Sequence, residues 1–169
     1  ETETATVMTF GYDPYLAEQS PFHGAYYAVI DSVTKQVAMG GHRDRIRLSF
    51  QEYFESLGKN PVSWGKPFSA LLGALKVQKE LGIPAIGGKD SMSGTFKEIN
   101  VPPSLISFAV SVTDSESVLT NELKHGNSFL YWMPGPREAG GILNLDQYKK
   151  NMDLVTKWNR KGKLLAAST

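Results

Sequence analysis

Residues 83–94 have the sequence IPAIGGKDSMSG, in which a short apolar segment runs directly into a glycine-rich one. The apolar part predicts a buried β-strand, and the glycines that follow predict a loop whose backbone can approach a ligand closely. Lys89 offers a positive charge to a phosphate, and Asp90 offers a hard oxygen ligand to Mg²⁺. The hydroxyl groups of Ser91 and Ser93 can bind phosphate oxygens or the metal.

These groups fit a nucleotide triphosphate with its magnesium ion, although the spacing of glycines and lysine is not that of a Walker A loop. A glycine-rich turn with a solvated Lys–Asp pair is the alternative.

Strand and helix patterns alternate before this stretch. Alternation predicts strands over residues 5–10 and 45–50, and Ser20 followed by Pro21 predicts the start of a helix. Pro67 is predicted to begin a second helix. The apolar stripe of that helix comprises Phe68, Leu71, Leu72 and Leu75.

The pattern changes after the glycine-rich stretch. Residues 106–112 alternate strictly and predict a strand, residues 114–127 are polar and suggest a domain boundary, and residues 128–133 predict a further strand. Asn144, with Gln147 three residues later, predicts the start of a third helix. The order β-α-β-α-β-β and then β-α-β predicts an α/β or α+β fold, with helices packed on a mixed sheet.

Composition excludes several classes of function. The chain has 169 residues, of which 41% are hydrophobic, so it can bury a core. With 18 basic and 17 acidic residues it carries a formal net charge of +1, which favours neither nucleic acid nor a membrane surface as partner. The absence of cysteine excludes disulfides, thiolate metal sites and cysteine nucleophiles. The first residue is Glu1 and the last residues turn apolar, from which we expect a piece of a longer polypeptide.

A second candidate ligand lies on the first predicted helix. Asp31 and Lys35 are four residues apart and therefore share one helix face. Asp31 could be a second metal carboxylate facing Asp90, or simply the partner of Lys35 in an ion pair on a solvated surface. The three histidines, His23, His42 and His125, have no metal-ligand spacing and are interpreted as structural or solvated.

Several segments together resemble one enzyme family. The GKDSMS sequence within residues 83–93 resembles a segment of the large, single-chain phosphoribosylformylglycinamidine synthases of purine biosynthesis. Residues 20–33, 45–54 and 103–109 resemble flanking segments in the second of that family's two synthase-like halves. The chain is therefore similar to an internal fragment of such an enzyme, and the likeness spans nearly its whole length.

The resemblance implies a fold and a reaction. Each half of the family's synthase region is like aminoimidazole ribonucleotide synthetase, with an N-terminal and a C-terminal α/β domain. Residues 1–113 would be the later part of the N-terminal domain, and residues 114–169 the opening of the C-terminal domain. The whole enzyme is a cytoplasmic ligase that uses ATP, Mg²⁺ and glutamine to amidate formylglycinamide ribonucleotide, and its glutaminase would lie outside this chain.

The resemblance also implies site residues and partners. Asp90 matches a family magnesium ligand, Asp31 matches an acidic ligand on the helix, and Gly88, Lys89, Ser91 and Ser93 would contact ATP or ADP. Lys35 departs from the asparagine of better-known members, which puts the number of bound metals in doubt. No catalytic residue is expected in this chain, since its site resembles the auxiliary nucleotide site of the family. The sheet would pair with another synthase-like domain or with a second copy of the fragment. A non-catalytic scaffold domain and a stand-alone ATP-using relative remain alternatives.

Overall fold

Alternating side chains along four segments build a mixed sheet. The computed structural model describes residues 3–169, and the bounds given below refer to that part of the chain. The strands of the main sheet are β1 (Thr4–Gly11), β2 (Arg47–Tyr53), β3 (Ala85–Ser91) and β6 (Ser104–Asp114). Their order across the sheet is β1-β6-β2-β3, with β2 and β3 parallel and the other neighbours antiparallel. A short hairpin of β4 (Thr95–Phe96) and β5 (Ile99–Asn100) follows β3.

Each helix begins at a side chain that accepts a hydrogen bond from the first turn. The helices are α1 (Pro14–Gln19), α2 (Pro21–Ala38), α3 (Pro61–Leu81) and α4 (Leu145–Arg160). The capping residues are Asp13, Ser20, Asn60 and Asn144. Three of these caps precede a proline at the first helical position, where its missing N–H costs no helical hydrogen bond. The predicted starts of α2 and α4 are confirmed.

The core lies between one face of the sheet and helices α2 and α3. Strand β6 turns its small residues toward α2, and the hydroxyl oxygens of Ser107 and Ser32 lie 2.9 Å apart. Gln36 is fully buried there and donates to the carbonyl oxygens of Val7 and Ala109 at 2.8 and 2.7 Å. Apart from Leu105, which is buried in the core, the larger apolar side chains of β6 point to the other face, where Phe108 and its neighbours remain partly exposed.

Helix α3 differs from its prediction in two ways. It begins at Pro61, because Asn60 caps it, and Pro67 is buried inside the helix instead of beginning it. The apolar stripe expected to face the core also lies on the outer face, where Phe68 is 65% and Leu75 48% exposed. The face of α3 that packs against the core is instead built from smaller side chains, such as Ala70 and Ala74.

The glycine-rich stretch is a strand, where a loop was predicted. Strand β3 runs from Ala85 to Ser91, so the segment containing Gly87, Gly88 and Lys89 belongs to the sheet itself. It is the outermost strand beside β2, and most of its residues are exposed. The prediction of a buried strand ending before Gly87 is therefore wrong, because β3 has a neighbour on one side only.

The region after β6 is mostly irregular. The strand predicted over residues 128–133 does not form within the described part of the chain, and Phe129 and Trp132 are 86% and 87% exposed. Helix α4 nevertheless packs against α2, where the hydroxyl groups of Tyr148 and Thr34 lie 2.9 Å apart. The mixed α/β class, with helices packed on a mixed sheet, is confirmed.

Candidate functional site

Strands β2 and β3 place two carboxylates side by side. The strands are parallel, and Phe50 pairs with Gly88 while Glu52 pairs with Asp90. Paired residues of neighbouring strands project to the same face, with strands about 4.8 Å apart. Gly88 is required at its position, because a Cβ atom there would lie 2.5 Å from the carbonyl oxygen of Phe50. The close approach of the two backbones thus sets the two acidic side chains next to each other.

A cavity of about 280 Å³ opens above this pair, between the two strands and helix α3. We call it the β2–β3 cleft. Its lining residues are Phe50, Glu52, Pro67, Leu71, Gly87, Gly88, Lys89, Asp90 and Met92. Gly87 and Gly88 carry no side chains into this cleft, and glycines within a strand mark places where a ligand or another backbone can approach closely. It combines apolar walls with two acids and one lysine.

Glu52 is the residue of this cleft that the sequence analysis missed. Only 8% of it is exposed, and it follows Leu48 and Phe50 on the buried face of β2. Burial, together with the nearby negative charge of Asp90, raises the pKa of the Glu52 carboxyl above its usual value. A charged residue at an alternating buried position was the signal in the sequence that could have revealed it.

The predicted phosphate-binding groups lie together at the carboxyl end of β3. Lys89 Nζ donates to the carbonyl oxygen of Asp90 at 2.9 Å, and the hydroxyl oxygens of Ser91 and Ser93 lie 3.0 Å apart. Lys89 and Ser93 are exposed, and Ser91 is half-buried. These groups therefore bond to near neighbours in the chain and remain accessible to a ligand.

Asp31 lies elsewhere. It forms an ion pair with Lys35, with Oδ2 and Nζ 2.6 Å apart, and Lys35 also donates to the carbonyl oxygen of Phe10 at 3.0 Å. Asp31 thus sits beside the end of β1, close to Gly11. Strands β1 and β3 are opposite edges of the sheet, separated by about 14 Å at ~4.8 Å per strand.

The expectation that Asp31 and Asp90 face each other is therefore wrong for this chain. Whether either residue binds a metal stays a prediction. Within residues 3–169 no group of three or more His, Asp or Glu side chains has the arrangement of a metal site. A metal ion at Asp90 would need water or phosphate oxygens to complete its coordination.

His23 has a structural role at the start of α2. His23 Nδ1 lies 2.8 Å from the hydroxyl oxygen of Ser20, and its Nε2 lies 2.8 Å from the carbonyl oxygen of Gly140. Both ring nitrogens are thus used to join the start of α2 to the segment before α4.

Among the described helices none is long and apolar enough to cross a membrane.

Solved structures show what the fold is similar to. The sequence matches no protein-family model and no protein of curated function. The structure of Thermotoga maritima PurL complexed with ATP is 15% identical, with a TM-score of 0.72, and the match covers 96% of this chain and 26% of that one. T. maritima PurL complexed with FGAR is 17% identical, with a TM-score of 0.67, over 94% and 24% of the two chains. The chain spans about a quarter of the length of these structures and has the fold of that part of PurL.

Proposed function

We propose that this chain is part of a phosphoribosylformylglycinamidine synthase and carries part of a Mg–nucleotide site. The observation that carries the proposal is the β2–β3 cleft, in which a glycine-rich strand places Lys89 and Asp90 beside accessible hydroxyl groups. The shared fold with a PurL that was solved with ATP, ADP and FGAR supports the same proposal. The large single-chain form of the enzyme, which the sequence resembles at residues 83–93, is the form that we propose.

Residues of the cleft and the two serines at the end of β3 are each assigned a part in binding the nucleotide and its metal. Gly88 lets the backbone approach a phosphate group, and Lys89 is assigned to neutralise phosphate charge once it leaves the Asp90 carbonyl oxygen. Ser91 and Ser93 are assigned to donate to phosphate oxygens, and Asp90 to bind Mg²⁺. A magnesium ion in such a site neutralises phosphate charge.

The reaction proposed for the whole enzyme is the ATP- and glutamine-dependent amidation of formylglycinamide ribonucleotide in the cytoplasm. No residue of this chain is assigned a catalytic step, and the glutaminase is assigned to another part of the polypeptide. Residues 1–113 are proposed to belong to the N-terminal synthase-like domain, and residues 114–169 to begin the C-terminal one. Asp31 stays a candidate ligand for a separate position, beside Lys35 at the other edge of the sheet.

The open face of the sheet favours a second role, pairing with another synthase-like domain or a second copy of the chain. Met8 is 70% and Phe10 58% exposed on β1, and Val112 on β6 is 50% exposed. Contiguous exposed apolar side chains of this kind mark interaction surfaces. A scaffold domain that only pairs would have this face without binding nucleotide, so nucleotide binding separates the two functions.

Calorimetric titration of the chain with ADP and Mg²⁺ tests the proposal. We expect saturable binding that Lys89→Ala weakens by about tenfold, which corresponds to the loss of one charge-assisted contact. Lys79→Ala removes an exposed lysine near the end of α3 and is the matched control. Absence of binding would leave the scaffold function as the better account. Equal affinity of the Lys89 and Lys79 variants would remove Lys89 from the proposed site.

A further inference from the structure

The acidic pair in the β2–β3 cleft includes a residue to which neither the sequence nor the resemblance assigned a role. We propose that Glu52 and Asp90 together form a divalent-cation site at the floor of this cleft. They are paired residues of neighbouring parallel strands and project to the same face. Two carboxylates on neighbouring strands, which lie about 4.8 Å apart, can bind one ion between them. Asp31, by contrast, lies at the opposite edge of the sheet.

Glu52 indicates a bound ligand, because its carboxylate has no hydrogen-bond or ion-pair partner in the described part of the chain. It is more than nine-tenths buried and lines the cleft. Within residues 3–169 no hydrogen bond or ion pair reaches its carboxylate. Glu55, an equally buried acid three residues later, differs in this respect, since Lys66 lies 2.8 Å from its carboxylate. No fully buried side-chain oxygen or nitrogen of the described residues lacks a hydrogen-bond partner, so the Glu52 carboxylate keeps contact with the cleft. A cation bound in the cleft would supply the partner that this carboxylate lacks.

The surrounding charges favour a cation as well. Like charges directly opposite each other on paired strands destabilise a sheet. The lysine of the cleft, Lys89, directs its ammonium group to the backbone carbonyl oxygen of Asp90, and Lys66 is bound to Glu55. In the described part of the chain, therefore, neither nearby lysine forms an ion pair with the two acids. Mg²⁺ is commonly bound by one or two carboxylates, with water and phosphate oxygens in its remaining positions.

This inference deepens the proposed function, because Asp90 belongs to both, but it does not require nucleotide. Its test uses the full 169-residue chain, MnCl₂ as the probe and no nucleotide, with free Mn²⁺ measured by electron paramagnetic resonance. We expect one Mn²⁺ per chain with a dissociation constant on the order of 10⁻⁴–10⁻³ M, typical of weak cation sites, and competition by Mg²⁺. Failure of ADP binding with intact Mn²⁺ binding would refute only the proposed function.

Variants identify the ligands. Glu52→Gln and Asp90→Asn should each lower the affinity for Mn²⁺ by at least about tenfold. Glu80→Gln, the same substitution at an exposed position of α3, should leave it unchanged. Thermal melting adds a second readout. Without metal, Glu52→Gln should melt at a higher temperature than the original chain, because it removes a like charge; with Mn²⁺ it should lose the metal-induced rise.

Any of three results would overturn the inference. One is the absence of saturable Mn²⁺ binding at concentrations about ten times above the expected range. Another is wild-type affinity in Asp90→Asn, whose exposed position makes the substitution compatible with folding. A Glu52→Gln chain that folds, as shown by circular dichroism, and still binds Mn²⁺ with wild-type affinity would equally remove Glu52 from the site.

Discussion

Replacement of Gly88 by alanine tests the geometry on which the cleft depends. The added Cβ atom would lie 2.5 Å from the carbonyl oxygen of Phe50, whereas ordinary contacts begin at 3.4 Å. Strand β3 must therefore move away from β2 by up to 0.9 Å, the difference between these two distances. Overpacking of this kind costs about 1–3 kcal/mol of the free energy of unfolding. The same movement separates Asp90 from Glu52, so the affinity for Mn²⁺ should fall as well.

The neighbouring residue is the matched control. A Cβ atom at Gly87 would meet no atom within 4 Å, so Gly87→Ala should be neutral or stabilise the chain by up to about 0.5–1 kcal/mol. Urea denaturation of both variants, followed by circular dichroism, gives the two free energies of unfolding. Equal stability and equal Mn²⁺ affinity in the two variants would refute the close approach of β2 and β3.

Three further predictions follow from buried groups and from the domain assignment. Gln36→Leu should lower the free energy of unfolding by about 1–3 kcal/mol, because two buried strand carbonyls lose a donor, and urea denaturation measures the loss. Burial raises the pKa of Tyr26 to about 12. Because the pKa of tyrosine in the unfolded chain is about 10, the stability that the neutral side chain contributes is fully present below pH 10, and it decreases as the pH rises from about 10 towards 12. Melting temperatures measured across this range should fall less steeply in Tyr26→Phe, and an identical fall in both chains would contradict the assigned burial. Incubated with ATP, glutamine and formylglycinamide ribonucleotide, the chain alone should release no phosphate above background, and measurable product would contradict the absence of a catalytic residue.

Local signals in the sequence predicted most of the elements. Ser20 and Asn144 cap helices in the structure as their sequence patterns indicate. The same combination of a capping side chain and proline at Asn60–Pro61 marks the true start of α3, whereas Pro67, the predicted start, lies inside the helix. A proline inside a helix usually costs about 3 kcal/mol, so the local preference favours Pro67 as a helix start, yet the structure has it buried within α3.

The face of a strand or helix that packs against the core was harder to predict than the strand or helix itself. Strand β6 alternates between large apolar and small residues, and the apolar side would ordinarily be assigned to the core. The structure buries the side that includes Ser107 and Ala109, because α2 supplies Ser32 and Gln36 to bond with it. That choice depends on residues more than seventy positions away in the sequence, so the local pattern could not reveal it.

The candidate site was predicted in part for the same reason. The glycine-rich sequence predicted a backbone that a ligand can approach closely. Gly87 and Gly88 line the cleft beside Asp90, and ligand binding there stays a prediction. The pairing of Glu52 with Asp90 requires the register between β2 and β3, which only the fold determines. Asp31 has the carboxylate that a metal site needs, but it lies at the edge of the sheet opposite to Asp90. The spacing of residues along one helix does not determine which strand end lies beside that helix, so this position could not be predicted.

The most direct test of the account is a crystal structure of the chain grown with ADP and MnCl₂. We predict an anomalous manganese peak between the carboxylates of Glu52 and Asp90, at about 2.1 Å from an oxygen of each, with the phosphates of ADP toward Gly88 and Lys89. Manganese and ADP bound away from the β2–β3 cleft, for example beside Asp31, would contradict it.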